Sequence, residues 1–139
     1  MINHDPTVIG VGDGDSMHLA APAPRERLHK RIVECEAFSR EDGLWDIEGA
    51  LLDTSSRETV EYGLGTAVRR PGEPIHLMNL RITIDDDYVI RAVEAVMRAH
   101  PFSICPQIVP AYQDLVGLRL GAGFKKAVYE RVGGAGGCT

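Results

Sequence analysis

The chain has 139 residues, of which 44% are hydrophobic and 25% are charged, a composition typical of one soluble globular domain. Its 15 Lys and Arg against 20 Asp and Glu give a net charge of −5, which argues against nucleic-acid and anionic-membrane partners because both need a basic face. No apolar run approaches the roughly 20 residues that span a bilayer. Three cysteines do not make a disulfide framework, so we expect a cytoplasmic protein.

Two regions differ in their patterning. Residues 1–24 are rich in glycine and proline and lack hydrophobic periodicity, which predicts a disordered N-terminal arm. Regular apolar periodicity begins after Arg25, so residues 25–139 are expected to form a single domain.

A β-hairpin centred on Asp42-Gly43 is the first predicted element, since glycine readily takes the positive φ of a tight turn. Apolar and polar residues alternate on both sides of this turn, a period of two that indicates half-buried strands. Cys35 is therefore expected to pack in the core. The alternating positions are Val33, Cys35 and Ala37 before the turn and Trp45, Ile47, Gly49 and Leu51 after it.

A second hairpin is predicted after residues 53–74, which lack periodicity and are interpreted as a long surface connection. Leu80, Ile82 and Ile84 alternate with polar residues, and the acidic run 85–87 forms the turn. Residues 89–96 then return as a fourth strand. A helix from Tyr88 onward is the alternative, because Ala, Glu, Met and Arg are good helix formers.

Helices are predicted for the last part of the chain. Cys105-Pro106 suits a helix start, an apolar face follows at helical spacing, and Gly117 is a plausible stop. A second helix is expected over residues 122–132. About four antiparallel strands in two hairpins, followed by helices that cover one face, give an α+β fold. The apolar face of the first helix consists of Ile108, Tyr112, Leu115 and Val116.

Three side chains are candidates for chemistry, each with a simpler alternative. Cys105 at a helix N-terminus would favour a thiolate, which metals and clusters require, but a lone cysteine also serves as a small buried hydrophobe. His76 precedes a predicted strand and could equally be a polar residue bonded to a carbonyl. Cys138 follows a glycine run that permits close approach of the backbone, or it is a frayed terminal residue.

Several motifs resemble a bacterial domain-of-unknown-function family across residues 26–139. That resemblance implies no function. The motifs are Arg31-Ile32, Asp42-Gly-Leu-Trp-Asp-Ile-Glu-Gly49, Gly72-Glu-Pro-Ile-His76-x-Met78-x-Leu80-Arg81-x-Thr83, Cys105-Pro106 and Gly137-Cys138-Thr139.

Residues 72–105 also resemble, more distantly, the core of the U-type iron–sulfur cluster scaffolds, which have an α+β fold with a small antiparallel sheet. The resemblance implies three metal ligands, His76, Cys105 and Cys138. A histidine in place of the first cysteine would favour Zn²⁺ or a Cys/His-ligated cluster.

These observations lead to three functional hypotheses. The first is a small Zn²⁺- or Fe–S-binding accessory protein that delivers metal to a protein partner. The second is a small catabolic enzyme or ligand-binding domain, in which Cys105 would be a nucleophile and His76 its base. The third is an interaction domain without a site.

Overall fold

The computed structural model describes residues 22–61 and 67–134, so most of the predicted N-terminal arm lies outside the described residues. The main sheet contains strands β1 (His29–Ser39), β2 (Trp45–Ser55), β5 (Pro74–Ile84) and β6 (Ile90–Ala99), antiparallel in the order β1-β2-β5-β6. Two short strands, β3 (Thr59–Glu61) and β4 (Ala67–Arg69), pair separately. A 3₁₀ helix (Cys105–Leu115) and helix α1 (Phe124–Val132) follow, which confirms the α+β class.

The first hairpin is confirmed, with its turn at the predicted place. Gly43 has a φ of +81°, and the amide of Arg40 donates to the carbonyl of Leu44 over 2.9 Å. From this turn the pairing runs without interruption between β1 and β2 as far as His29 and Ser55. The hairpin register therefore follows directly from the turn.

The second hairpin is also confirmed, and β6 is a strand and not the alternative helix. Asp85 organises the acidic turn, because its carboxylate accepts the amides of Asp87 at 3.0 Å and Val89 at 2.9 Å. Tyr88 takes a φ of +62°, which an ordinary helix would not permit. Pairing of β6 with β5 then buries Ile90 and Val93.

The predicted connection across residues 53–74 is wrong in part. Strand β2 continues to Ser55, and β3 and β4 form a small hairpin whose strands have three residues each. Strands this short cannot display a period of two, so hydrophobic periodicity did not predict them. The guanidinium of Arg69 donates to the carbonyl of His100, a bond that ties this hairpin to the end of β6.

The helical segment that begins at Cys105 is a 3₁₀ helix. Pro110 lies inside it and has no amide hydrogen for an α-helical bond. Bonds three residues apart occur instead, from the amide of Gln107 to Ile104 and from that of Val116 to Gln113. Neither this segment nor α1 has the length and apolar character that a helix crossing a bilayer would need.

The 3₁₀ helix packs mainly against β6, and α1 packs mainly against the 3₁₀ helix. The β1 side of the same sheet face is exposed, with Val33 61% accessible. The prediction that Cys35 packs in the core is wrong, since its thiol is exposed on this uncovered side. The buried apolar residues are Ile84, Ile90, Val93, Leu115, Leu118 and Val132.

Replacement of Ile90 by alanine is expected to lower the free energy of unfolding by about 2–5 kcal/mol, because it opens a cavity at the centre of the core. Urea denaturation measures the change. Val96→Ala, at a position 49% exposed on the same strand, is the control and should cost less than about 1 kcal/mol. Equal losses in the two variants would contradict this location of the core.

Candidate functional site

A buried carboxylate lies near the end of β2. Asp53 is 1% exposed, and Asp53 and Thr83 are the buried polar residues in the described part of the chain. A buried charge is costly unless it is paired and hydrogen-bonded. Arg31 meets this requirement, since its Nε donates to Oδ1 of Asp53 over 2.7 Å and its Nη2 to Oδ2 over 2.6 Å.

Two histidines adjoin the same carboxylate. Nδ1 of His76 lies 2.9 Å from Oδ2 of Asp53, within hydrogen-bond distance. Nε2 of His29 lies 3.6 Å from Oδ1, too far for a hydrogen bond but close enough for charge attraction when the ring is protonated. We call these four residues, His29, Arg31, Asp53 and His76, the polar row.

Strand register brings the polar row together. Arg31 is paired with Asp53 across β1 and β2, and Asp53 is paired with His76 across β2 and β5. Directly paired residues in antiparallel strands point to the same face, and His29 shares that face with Arg31 because side chains alternate along a strand. Side chains from three strands thus meet at one carboxylate.

The guanidinium of Arg31 holds the pKa of Asp53 below its ordinary value, by its hydrogen bonds and its charge, against the opposing effect of burial. Contact with His76 acts in the same direction. Asp53 is therefore ionised at neutral pH and only accepts hydrogen bonds. His76 must then donate to it through Nδ1.

An apolar groove begins one step along the same face. Val33, Leu51 and Met78 line it, and each lies two residues from a member of the polar row on its own strand. Val109 and Tyr112 of the 3₁₀ helix lie on its other side. The groove has a volume of about 180 Å³, and its lining is almost entirely apolar.

Gly49 leaves open space in the groove. It lines the groove, and a Cβ added there would meet no heavy atom within 4 Å. Glycine weakens a strand interior because it has no side chain to pack. At Gly49 the missing side chain leaves part of the groove unfilled.

A second, wider hollow of about 1200 Å³ lies beneath α1. Its lining includes no residue of β1 or β2, whereas the groove is lined by Val33, Leu51 and Met78, which lie two residues along their strands from the polar row. The groove beside the polar row is therefore the better candidate, since binding sites combine an apolar pocket with a few well-placed polar groups.

The predicted metal ligands are only partly covered by the structure. His76 lies within β5, bonded to a carboxylate and not to a carbonyl, and Cys105 begins the 3₁₀ helix with a half-buried free thiol. Cys138 lies outside the described residues. Within residues 22–61 and 67–134, no group of three His, Cys, Asp or Glu side chains is placed to hold a metal ion. The three-ligand site stays a prediction.

Sequence reasoning did not identify His29, Arg31 and Asp53 as site residues, although Arg31 belongs to a family motif. The signal was present in the hairpin, since Arg31 and Asp53 lie at equal distances from Asp42 along the chain. Both also continue the apolar alternation of their strands. Opposite charges at matched positions on the apolar face of a hairpin indicate a buried ion pair.

The family of the chain emerges from comparison with known proteins. Residues 29–139 match the family described as "Protein of unknown function (DUF2889)", which confirms the resemblance to an uncharacterised family. No match was found among curated proteins or among solved structures. The comparisons therefore add no support for the resemblance to iron–sulfur scaffolds.

Asp53→Asn tests the charge of the buried carboxylate. Because the pKa of Asp53 is lower in the folded chain than its unfolded value of about 3.9, its contribution is present above about pH 4 and is lost as the pH falls through the folded pKa. The substitution should lower the free energy of unfolding by about 1.5–3 kcal/mol at pH 7.

Urea denaturation at pH 7 and at pH 3 measures the free energy of unfolding of the variant and of the wild type. The difference between the two proteins should be smaller at pH 3. Asp87→Asn, at an exposed turn position, is the control and should change stability little at either pH. If Asp53→Asn cost the same at both pH values, packing and not charge would be responsible.

Proposed function

This chain belongs to the DUF2889 family, and we propose that it is a ligand-binding domain for a small, largely apolar molecule. The ligand occupies the groove between the sheet and the 3₁₀ helix, with one end directed to the polar row. The observation that carries the proposal is the position of the apolar groove next to the polar row on one face of the sheet. Val33, Leu51 and Met78 line the groove, and each lies two residues along its strand from Arg31, Asp53 or His76.

The size of the groove supports a small ligand. Its volume of about 180 Å³ slightly exceeds the roughly 150 Å³ of an engineered apolar cavity that accepts benzene. A single aromatic ring or a short alkyl chain is the fitting occupant. Met78 and Met97 line the groove, and unbranched thioether side chains adapt readily to the shape of an apolar ligand.

The polar row supports orientation of the ligand. Arg31 and His76 contact the same oxygen, Oδ2 of Asp53, so the buried carboxylate fixes both side chains. Held in this way, they lose little conformational freedom on binding, which favours affinity. The polar row thus provides fixed polar groups for one end of a ligand whose apolar part fills the groove.

Gly49→Leu tests the groove, because the new side chain enters the open space without a clash at its Cβ. A two-dimensional amide NMR titration with a neutral probe, 3-phenylpropan-1-ol, should give saturable shifts in the wild type at the groove-lining residues. In Gly49→Leu the affinity should fall at least tenfold, while the dispersion of the spectrum reports that the fold is retained.

Ala37→Leu is the matched control, since Ala37 is exposed on the same sheet face and does not line the groove. It should bind the probe as the wild type does. Binding that survives Gly49→Leu, or that is lost equally in both variants, would contradict the proposed site.

A further inference from the structure

We infer that the ligand of this groove is a small carboxylic acid, with its carboxylate at the polar row and its ring or alkyl chain in the groove. This inference rests on the proposed function and adds the chemical class of the ligand. It follows from which groups of the polar row are buried and which are accessible.

The accessible groups are hydrogen-bond donors or bases. The side chain of Asp53, the acid of the row, is 2% exposed, whereas those of Arg31 and His29 are 51% and 50% exposed. His76 is 21% exposed. A ligand at the end of the groove therefore meets a guanidinium and two imidazoles, and the carboxylate lies behind them.

Arg31 retains donors after its pairing with Asp53. The guanidinium has five N–H groups in a planar fork, and the two bonds to Asp53 use one on Nε and one on Nη2. Three remain, two of them on Nη1. A second carboxylate is a natural partner for them, because guanidinium and carboxylate geometries match.

Charge at the row also favours an anion. The accessible charge is positive, because the guanidinium of Arg31 is half-exposed and the carboxylate of Asp53 is buried. A carboxylate has two oxygens with about four lone-pair sites and suits donors that come from several strands. A neutral hydroxyl group accepts fewer bonds and gains nothing from the positive charge.

The distance from groove to row limits the length of the acid. Arg31 and Val33, like His76 and Met78, are two residues apart on one strand, which corresponds to about 6.6 Å. A ring seated beside Val33 and Met78 thus needs a spacer of two or three carbons to bring its carboxylate to Arg31. A phenylpropanoate has this length.

The test compares two probes that differ only at the polar end, 3-phenylpropanoate and 3-phenylpropan-1-ol, by isothermal titration calorimetry on the full chain. The acid should bind the wild type at least tenfold more tightly than the alcohol. Arg31→Lys, which retains the charge and loses the fork, should reduce this preference at least threefold.

His29→Gln is a second variant, chosen because His29 is half-exposed and makes no hydrogen bond to Asp53, so its loss should not unfold the chain. It should also reduce the preference for the acid. Arg81→Lys, on the opposite face of the sheet where Arg81 pairs with Glu48 and Glu94, is the control and should leave the preference unchanged.

The outcomes separate the two levels of the proposal. If both probes bind the groove with equal affinity, the inference of an acid is wrong and the proposed binding function stands. If neither probe binds, both fail. A preference for the acid that survives Arg31→Lys and His29→Gln would place the carboxylate elsewhere and would also overturn the inference.

Discussion

The register of the antiparallel strands decides which side chains of this domain meet. One turn at Asp42-Gly43 sets the pairing of β1 with β2, and the pairing of β2 with β5 extends it. A slip of one residue would move every side chain of a strand to the other face. Asp53 would then lose both Arg31 and His76. Its charge would move to the opposite face of the sheet, and the apolar residues of β2 would leave the groove.

The two faces of the sheet have different characters as a result. One face carries the apolar groove and the polar row, and the other carries an exposed ion-pair network in which Arg81 joins Glu48 to Glu94. Exposed pairs of this kind contribute little to stability. The ion pair of Asp53 differs because its carboxylate is buried, and loss of one partner leaves a charge without compensation.

Much of the fold was predictable because local rules determine it. Alternation and the Asp-Gly and acidic turns indicated both hairpins, and the helical segments were placed within a few residues. The 3₁₀ geometry required attention to Pro110, and the exposure of Cys35 depended on where the helices pack, which periodicity does not report. Packing between distant segments is a property of the whole chain.

The candidate site was harder to predict than the fold. The search for single reactive residues identified His76. In the structure His76 is hydrogen-bonded to Asp53, a residue that belongs to no local motif. Arg31 and Asp53 are 22 positions apart, and only the pairing of two strands brings them together. Counting equal numbers of residues on both sides of Asp42 pairs Arg31 with Asp53, and the hairpin itself was predicted correctly.

The uneven covering of the sheet has a consequence for its dynamics. Strands β1 and β6 are the two edges of the sheet, but the 3₁₀ helix packs on β6, whereas the side chains of β1 are exposed. Segments with few buried apolar contacts open locally at a lower free energy than the whole domain. Amide hydrogen exchange should therefore be slow in β5, which is paired on both sides, slower in the covered edge strand β6 than in β1, and fastest in β1. The groove spans this gradient, so an occupant that bridges Val33 and Tyr112 would slow exchange most in the strand that is least protected without it.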